Sequence, residues 1–317
     1  MVDAGDHRLL IVGEREYATH YSERVIRMLV ARKGVHRAPL YFPFKETRGR
    51  HFLGPLFRYL RQRGRGDLRV LEAGCSFGHI TEFLAEQPEV QTLHTFDTDP
   101  LFVEITRTKV AELGLTAVRD VACLTQEEAC RLPYPDGGFD LVLVIGVVEH
   151  LPARFRRAQV DEYYRALAPA GHIAILDTPN RLFPLETHTV GLPLVQWMPS
   201  RLAYGYARAL RPRRFARMSY DDFVGDGSAW RNASLRECLP STGWRGLDDV
   251  TEVAGYGWRF FRDTARSRTR QALLPFFAAA CEGLRVSGLP PSLALPYFNL
   301  LLRKRDPRHR AVANARI

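Results

Sequence analysis

The chain has 317 residues, 46% of them hydrophobic, and carries 45 Lys and Arg against 35 Asp and Glu, a formal net charge of +10. That apolar fraction is enough for a proper core and excludes a disordered chain, and no apolar run reaches the ~18 residues that would span a bilayer. The basic excess is compatible with nucleic acid, anionic lipid or an acidic substrate, yet only Lys33, Lys45, Lys109 and Lys304 are lysines, so uniform a preference for arginine that it reads first as composition.

The N-terminus, Met-Val-Asp-Ala-Gly-Asp-His, has neither the basic start nor the apolar centre of a secretion signal, which predicts a cytoplasmic protein. Apolar residues at Tyr17, Tyr21, Val25, Met28 and Leu29 have near-helical spacing and predict a helix over 17–31. A second helix is expected over 52–61, broken by Gly64 and Gly66. Residues 1–66 are thus read as a helical extension, either a lid or a cover for a sheet edge. From 67 to 180 short apolar strands alternate with helices: strands at 68–73, 91–97, 117–121, 140–146 and 171–177, helices at 79–86, 99–113 and 154–168. This rhythm predicts an α/β fold with a mostly parallel sheet covered on both faces. Residues 181–230, with Pro184, Pro193, Pro199 and Pro212 among aromatic and basic residues, interrupt the rhythm as an insertion. Residues 231–305 complete the core through a helix at 234–244, a strand at 247–253 and a last strand from Pro296, with a helical insertion at 256–294. Residues 306–317 form a polar tail. The five cysteines, Cys75, Cys123, Cys130, Cys238 and Cys281, show no Cys-x-x-Cys spacing and read as free thiols rather than a zinc site.

Function concentrates in Val70-Leu-Glu-Ala-Gly-Cys-Ser-Phe-Gly78, a buried strand, a glycine turn and a helix start. Gly74 permits a sharp turn and Gly78 lets a ligand approach bare backbone. Asp97 closes the next strand 19 residues after Gly78, the spacing at which a carboxylate reaches ribose hydroxyls. Ser76 occupies the middle glycine position, so this is not the dinucleotide fingerprint, and Glu72 before the turn suits a cofactor with positive charge and an amino-acid tail.

Leu71-Glu-Ala-Gly-Cys-Ser-Phe-Gly78 resembles the first motif of class I S-adenosylmethionine-dependent methyltransferases. Three further stretches match in order: Asp97-Thr-Asp-Pro, then Leu132 to Asp140 running into Leu-Val-Leu-Val-Ile-Gly-Val-Val-Glu-His-Leu-Pro152, then Leu167-Ala-Pro-Ala-Gly171. The family prefers glycine at positions 76 and 170, here Ser76 and Ala170. The resemblance implies a Rossmann-like, doubly wound, seven-stranded sheet with an antiparallel last strand, and S-adenosylmethionine as cofactor. It places Gly74 and, indirectly, Glu72 at the ammonium group, with Cys75, Ser76 and Gly78 in the turn. Asp97 and Thr98 fall at the ribose, Glu128 and Ala129 at the adenine, and Gly146 and Val147 beneath the sulfonium. Asp99 reads as an N-cap for the following helix.

Methyl transfer to a hydroxyl requires removal of a proton. His150, after Glu149 at the end of the fourth strand, resembles the Glu-His pair of small-molecule O-methyltransferases, in some of which the pair acts as base or helps to bind a divalent metal. His188 follows the fifth strand. Both strand ends open on the ligand side of a parallel sheet, so the two histidines are expected to converge. Glu149 and Glu186 lie near them in sequence, but no fixed ligand spacing supports a metal and none is expected. Asn180, Tyr17, Tyr21 and Trp197 are expected at the substrate. The expected reaction is methylation of a small-molecule hydroxyl, on a sugar, glycoside or other secondary metabolite. A lipid-linked acceptor with peripheral membrane contact through 192–218 is an alternative, as is methylation of nitrogen or carbon. Nucleic acid is disfavoured by the absence of an Asn-Pro-Pro-Tyr signature and of an added RNA-binding module. Oligomeric state is not legible.

Overall fold

The computed structural model describes residues 2–4 and 7–307; of the expected tail, 308–317 lie outside the described residues. The chain divides into two compact units, residues 1–125 and 126–317, a different grouping from the five segments read off the sequence.

The first unit opens with an antiparallel three-stranded sheet: β1 (Val2–Ala4), β2 (His7–Val12) and β3 (Arg15–Thr19). This corrects the helix expected over 17–31. Tyr17 and Thr19 face inward on a strand, and the helix α1 (Glu23–Lys33) begins only where the Ser22 side chain caps it by accepting from the Val25 N–H at 3.2 Å. Apolar spacing overlooked that cap, which marks the start more firmly than the tyrosines do. The extension is therefore part sheet, part helix. Next come α2 (Arg50–Arg61), β4 (Leu68–Ala73), α3 (His79–Ala85), β5 (Val90–Asp97), α4 (Pro100–Glu112) and β6 (Val118–Cys123). β4, β5 and β6 are parallel neighbours.

The second unit contains β7 (Phe139–Ile145), α5 (Ala153–Ala166), β8 (Leu167–Pro179), α6 (Ser200–Leu210), α7 (Pro212–Phe215), α8 (Tyr220–Val224), β9 (Leu247–Asp249), α9 (Trp258–Asp263), α10 (Arg268–Val286) and β10 (Tyr297–Lys304). β7 and β8 are parallel, and β10 runs antiparallel to both β8 and β9. The seven strands β4 to β10 make the expected Rossmann-like sheet, ordered β6-β5-β4 in the first unit and β7-β8-β10-β9 in the second. Two expectations are corrected here. Residues 234–244 form only a 3-10 turn, Leu235–Cys238, because Pro240 and Gly243 follow its capping box. The strand from 247 stops at Asp249, where the chain turns and the Val250 N–H bonds the Leu301 carbonyl.

One buried polar network organises the first unit. Glu82 and Lys109 are each 1% exposed and pair at 2.8 Å. The Tyr21 hydroxyl donates to Glu82 at 3.1 Å and accepts from the Lys109 ammonium at 3.0 Å. Lys109 also donates to the Phe77 carbonyl, and Lys45 and His20 reach the other Glu82 oxygen at 3.2 and 2.9 Å. Burial alone would raise the Glu82 carboxyl; the His20 bond and the Lys109 and Lys45 charges outweigh it and hold the group far below the usual carboxylate range. Burial lowers Lys109 to about 8, against the pull of Glu82.

Glu82→Ala should cost ~3–5 kcal/mol in denaturant unfolding, because it strands a buried ammonium without its counter-charge. A carboxyl depressed in the folded state contributes stability that is present above its unfolded value and lost as pH falls through and below that value. The native protein should therefore lose stability below the ordinary carboxylate range, and the variant should lose less over the same window.

Candidate active site

In the first unit the site is built where β4 and β5 end. The Gly74 and Cys75 N–H groups both donate to the Phe96 carbonyl, at 2.9 and 3.0 Å, which pins the turn to the neighbouring strand. Gly74 and Gly78 have φ of +81° and +70°, and a Cβ on Gly78 would come within 2.9 Å of the Thr106 hydroxyl. Ser76 holds φ +48°, left-handed without being glycine. Its N–H donates to Asp97 Oδ2 at 2.9 Å, and the Asp99 N–H donates to Oδ1 at 3.0 Å. Each Asp97 oxygen has a second lone pair for a further donor, so the strand end can accept from paired hydroxyls. Burial raises the Asp97 carboxyl while these backbone donors oppose the rise. Asp99 caps α4 by accepting from the Leu101 N–H, and Thr98 links the two acids.

Glu72 lies behind the turn. It is 3% exposed, accepts from the Thr81 hydroxyl at 2.6 Å, and is raised to about 7 by burial. The Cys75 thiol is buried against the Thr106 hydroxyl and pushed well up by burial, the opposite of an activated nucleophile.

In the second unit, Gly146 follows β7 with φ +62° and donates its N–H to the Leu176 carbonyl, with Val147 next. A short 3-10 turn then presents Glu149 and His150. Buried Arg156 fixes that turn through the Glu149 and Leu151 carbonyls and is itself paired with Glu237 at 2.9 Å. His150 Nδ1 lies 2.9 Å from the Gly227 carbonyl. A carbonyl only accepts, so Nδ1 carries the proton and Nε2 of the neutral ring keeps a lone pair.

His188 arrives from the loop after β8. The Glu186 carboxylate, fully buried, accepts the N–H groups of His188, Thr189, Val190 and Gly191 and so moulds that loop. The result is the expected convergence: the two Nε2 atoms are 3.2 Å apart, and His188 Nε2 is 3.9 Å from the carboxylate of buried Glu149. One ligand atom from each of Glu149, His150 and His188 lies within 4.8 Å of the others, a proximity that sequence spacing did not show.

The remaining expected residues fall elsewhere. Asn180 is fully buried, with its amide donating to the Leu293 and Leu295 carbonyls and its oxygen accepting from the Leu182 N–H, so it ties loops together. Tyr21 is 1% exposed within the Glu82–Lys109 network, and half-buried Tyr17 packs against the cluster around Tyr21 and Val25. Both tyrosines are structural in this arrangement. Trp197 is 51% exposed, with its indole N–H on the Arg181 carbonyl. Glu128 is exposed at a 3-10 turn whose Ala129 is buried. Glu82, Arg156 and the Gly227 carbonyl escaped the sequence reading, which had Glu186 only as a neighbour of the histidines and Lys109 only among the lysines.

Residues 70–171 match the methyltransferase domain family. The mouse protein named probable tRNA methyltransferase 9B is 31% identical over 150 residues, 46% of this chain and 30% of that protein. The rice protein named probable tocopherol O-methyltransferase, chloroplastic, is 32% identical over 112 residues, 35% of this chain and 29% of that protein. The chain thus spans about a third of the length of these curated relatives. Among solved structures, a putative sarcosine dimethylglycine methyltransferase from Galdieria sulphuraria aligns over 90% of this chain and 92% of its own, at 15% identity and a TM-score of 0.44. The match at residues 70–171 supports a class I S-adenosylmethionine-dependent methyltransferase domain there, a type of domain whose cofactor is S-adenosylmethionine. At the end of β5 the first unit fits it, since the Asp97 carboxylate keeps lone pairs for paired hydroxyls; the space beside Gly78 is taken by Thr106, so that glycine serves helix packing rather than the ligand approach expected from sequence.

A carboxyl raised in the folded state binds protons that the unfolded chain has released, so Glu72 costs stability as pH rises from about 4.5 to about 7. In the absence of cofactor, Glu72→Gln should remove that slope and leave the variant more stable than the native protein above pH 7, by roughly 3 kcal/mol in denaturant titrations.

Proposed function

We propose that this chain transfers a methyl group from S-adenosylmethionine to a hydroxyl of a small-molecule acceptor, a sugar, glycoside or other secondary metabolite. When bound, the cofactor supplies an electrophilic methyl carbon on a positively charged sulfur. Asp97 accepts from the ribose hydroxyls, and the turn from Gly74 to Gly78 offers its backbone to the amino-acid tail. Glu128 and Ala129 serve the adenine, and Gly146 and Val147 the sulfonium end.

The observation that carries the choice of oxygen is the His150–His188–Glu149 cluster. His150 Nε2, left unprotonated when Nδ1 donates to the Gly227 carbonyl, would take the proton of the acceptor hydroxyl during methyl transfer, the hydroxyl replacing His188 Nε2, which lies 3.2 Å away. His188 stands 3.2 Å from His150 and 3.9 Å from the buried Glu149 carboxylate, which puts a carboxylate close to where the proton arrives. Relatives named for tRNA, tocopherol and alkaloid substrates show that family membership does not select the acceptor; the histidine pair supports a hydroxyl.

Asp97→Ala should weaken cofactor binding by ~1–3 kcal/mol in calorimetry, through loss of the ribose acceptor; unchanged affinity would remove Asp97 from the site. His150→Ala should lower turnover by ~100-fold or more on a competent hydroxyl acceptor while leaving cofactor affinity intact. Equal loss of both would end the base assignment. Loss of native activity on chelation would replace proton transfer with metal chemistry at the same three side chains.

A further inference from the structure

Between Glu186 and Asp221 the chain has no acidic residue, yet it carries six arginines, Arg201, Arg208, Arg211, Arg213, Arg214 and Arg217. All six are exposed. Among the described residues none has a carboxylate partner. Arg208 and Arg211 reach backbone carbonyls, of Ala216 and Gly191, and Arg214 lies over the Phe215 ring. Elsewhere arginines are regularly paired, as Arg156 is with Glu237 and Arg165 with Glu162. Six unneutralised guanidiniums in 17 residues are a local field, not an even spread of composition.

The same segment turns apolar side chains outward. Its inner side is already satisfied, since Ala203 and Ala207 of α6 pack with Val195, Phe215, Phe223 and Trp230. Outside that core, Leu202 is 65% exposed, Leu210 56% and Leu194 43%, and Trp197 is half exposed. On α6, Ala203 and Ala207 fix the inward direction, so Arg201, Gly205, Arg208, Ala209 and Leu202 look away from the core. Guanidinium groups interleaved with outward leucines and a tryptophan fit an interface that is anionic at its surface and apolar just beneath.

We propose that the face formed by residues 194–217 docks on an anionic lipid surface, with the arginines on headgroup phosphates and Leu194, Trp197, Leu202 and Leu210 set into the acyl boundary. A nucleic acid would satisfy the arginines but leave the leucines in water, so the aliphatic groups favour lipid. The proposal does not depend on the methyl-transfer reading, and its test needs no turnover.

The full chain would be mixed with vesicles of phosphatidylglycerol and phosphatidylcholine, with vesicles of phosphatidylcholine alone, and with bulk tRNA, and binding read by flotation, by tryptophan emission and by gel shift. The expected result is flotation only with the anionic vesicles, weakened at high salt, with a blue shift that Trp197→Phe abolishes. Arg213→Glu/Arg214→Glu/Arg217→Glu should abolish flotation, and Leu202→Ser/Leu210→Ser should weaken it at least fivefold, both at an unchanged melting temperature. Three results would overturn the proposal: no flotation, full binding by the leucine variant, or a tRNA shift without vesicle binding. A variant that does not fold would be replaced by the single changes Arg213→Glu and Leu202→Ser, read in the same way.

Discussion

A buried carboxylate that must neutralise a buried ammonium is the constraint on which the first unit depends. Glu82 receives Lys109, Tyr21, Lys45 and His20, residues from the stretch before α1, from the segment before α2 and from α4. Removing Glu82 leaves the buried Lys109 ammonium without its counter-charge, which costs more than an average contact returns. Lys109 spends a further donor on the Phe77 carbonyl, inside the glycine turn at 74–78. The N-terminal extension is thereby wired to that turn through hydrogen bonds rather than as a detachable cover.

The second unit handles positioning differently. Its candidate side chains are held largely through backbone partners. A carbonyl fixes the His150 tautomer, two carbonyls held by Arg156 fix the turn beneath it, and a carboxylate gathers four N–H groups under His188.

The strand–turn–helix at 70–78 and the strand ends at Asp97 and Glu149 were legible because each is local: an apolar run, a glycine, an acid at fixed distance. The convergence of His150 and His188 followed from the rule that parallel strands present one end to a ligand. What was not legible is long-range or conformational. Tyr21 and Asn180 looked like ligand groups because polarity in sequence does not say which polar partner folding will supply; Glu82 and the Leu293 and Leu295 carbonyls supply it. The helix over 17–31 failed at Ser22, where capping outweighed periodicity. Ser76 and Ala170, the two departures from the family's glycines, keep the left-handed backbone that glycine would adopt freely, at φ +48° and +59°. The fold overrides the residue there, at a cost of about 1–2 kcal/mol each.

The Glu186 carboxylate does for the loop at 188–191 what a bound anion does for an N–H cradle elsewhere, except that this anion is covalently part of the chain. Ordering a short loop carries an entropic penalty of about 1–2 kcal/mol per residue. Because the side chain is delivered by folding, that penalty is met before any acceptor arrives and is not deducted from its affinity. The histidine at the head of the loop is then held in place by the fold itself, and any ligand that meets it is selected by its own shape, not by how well it can organise the protein around itself.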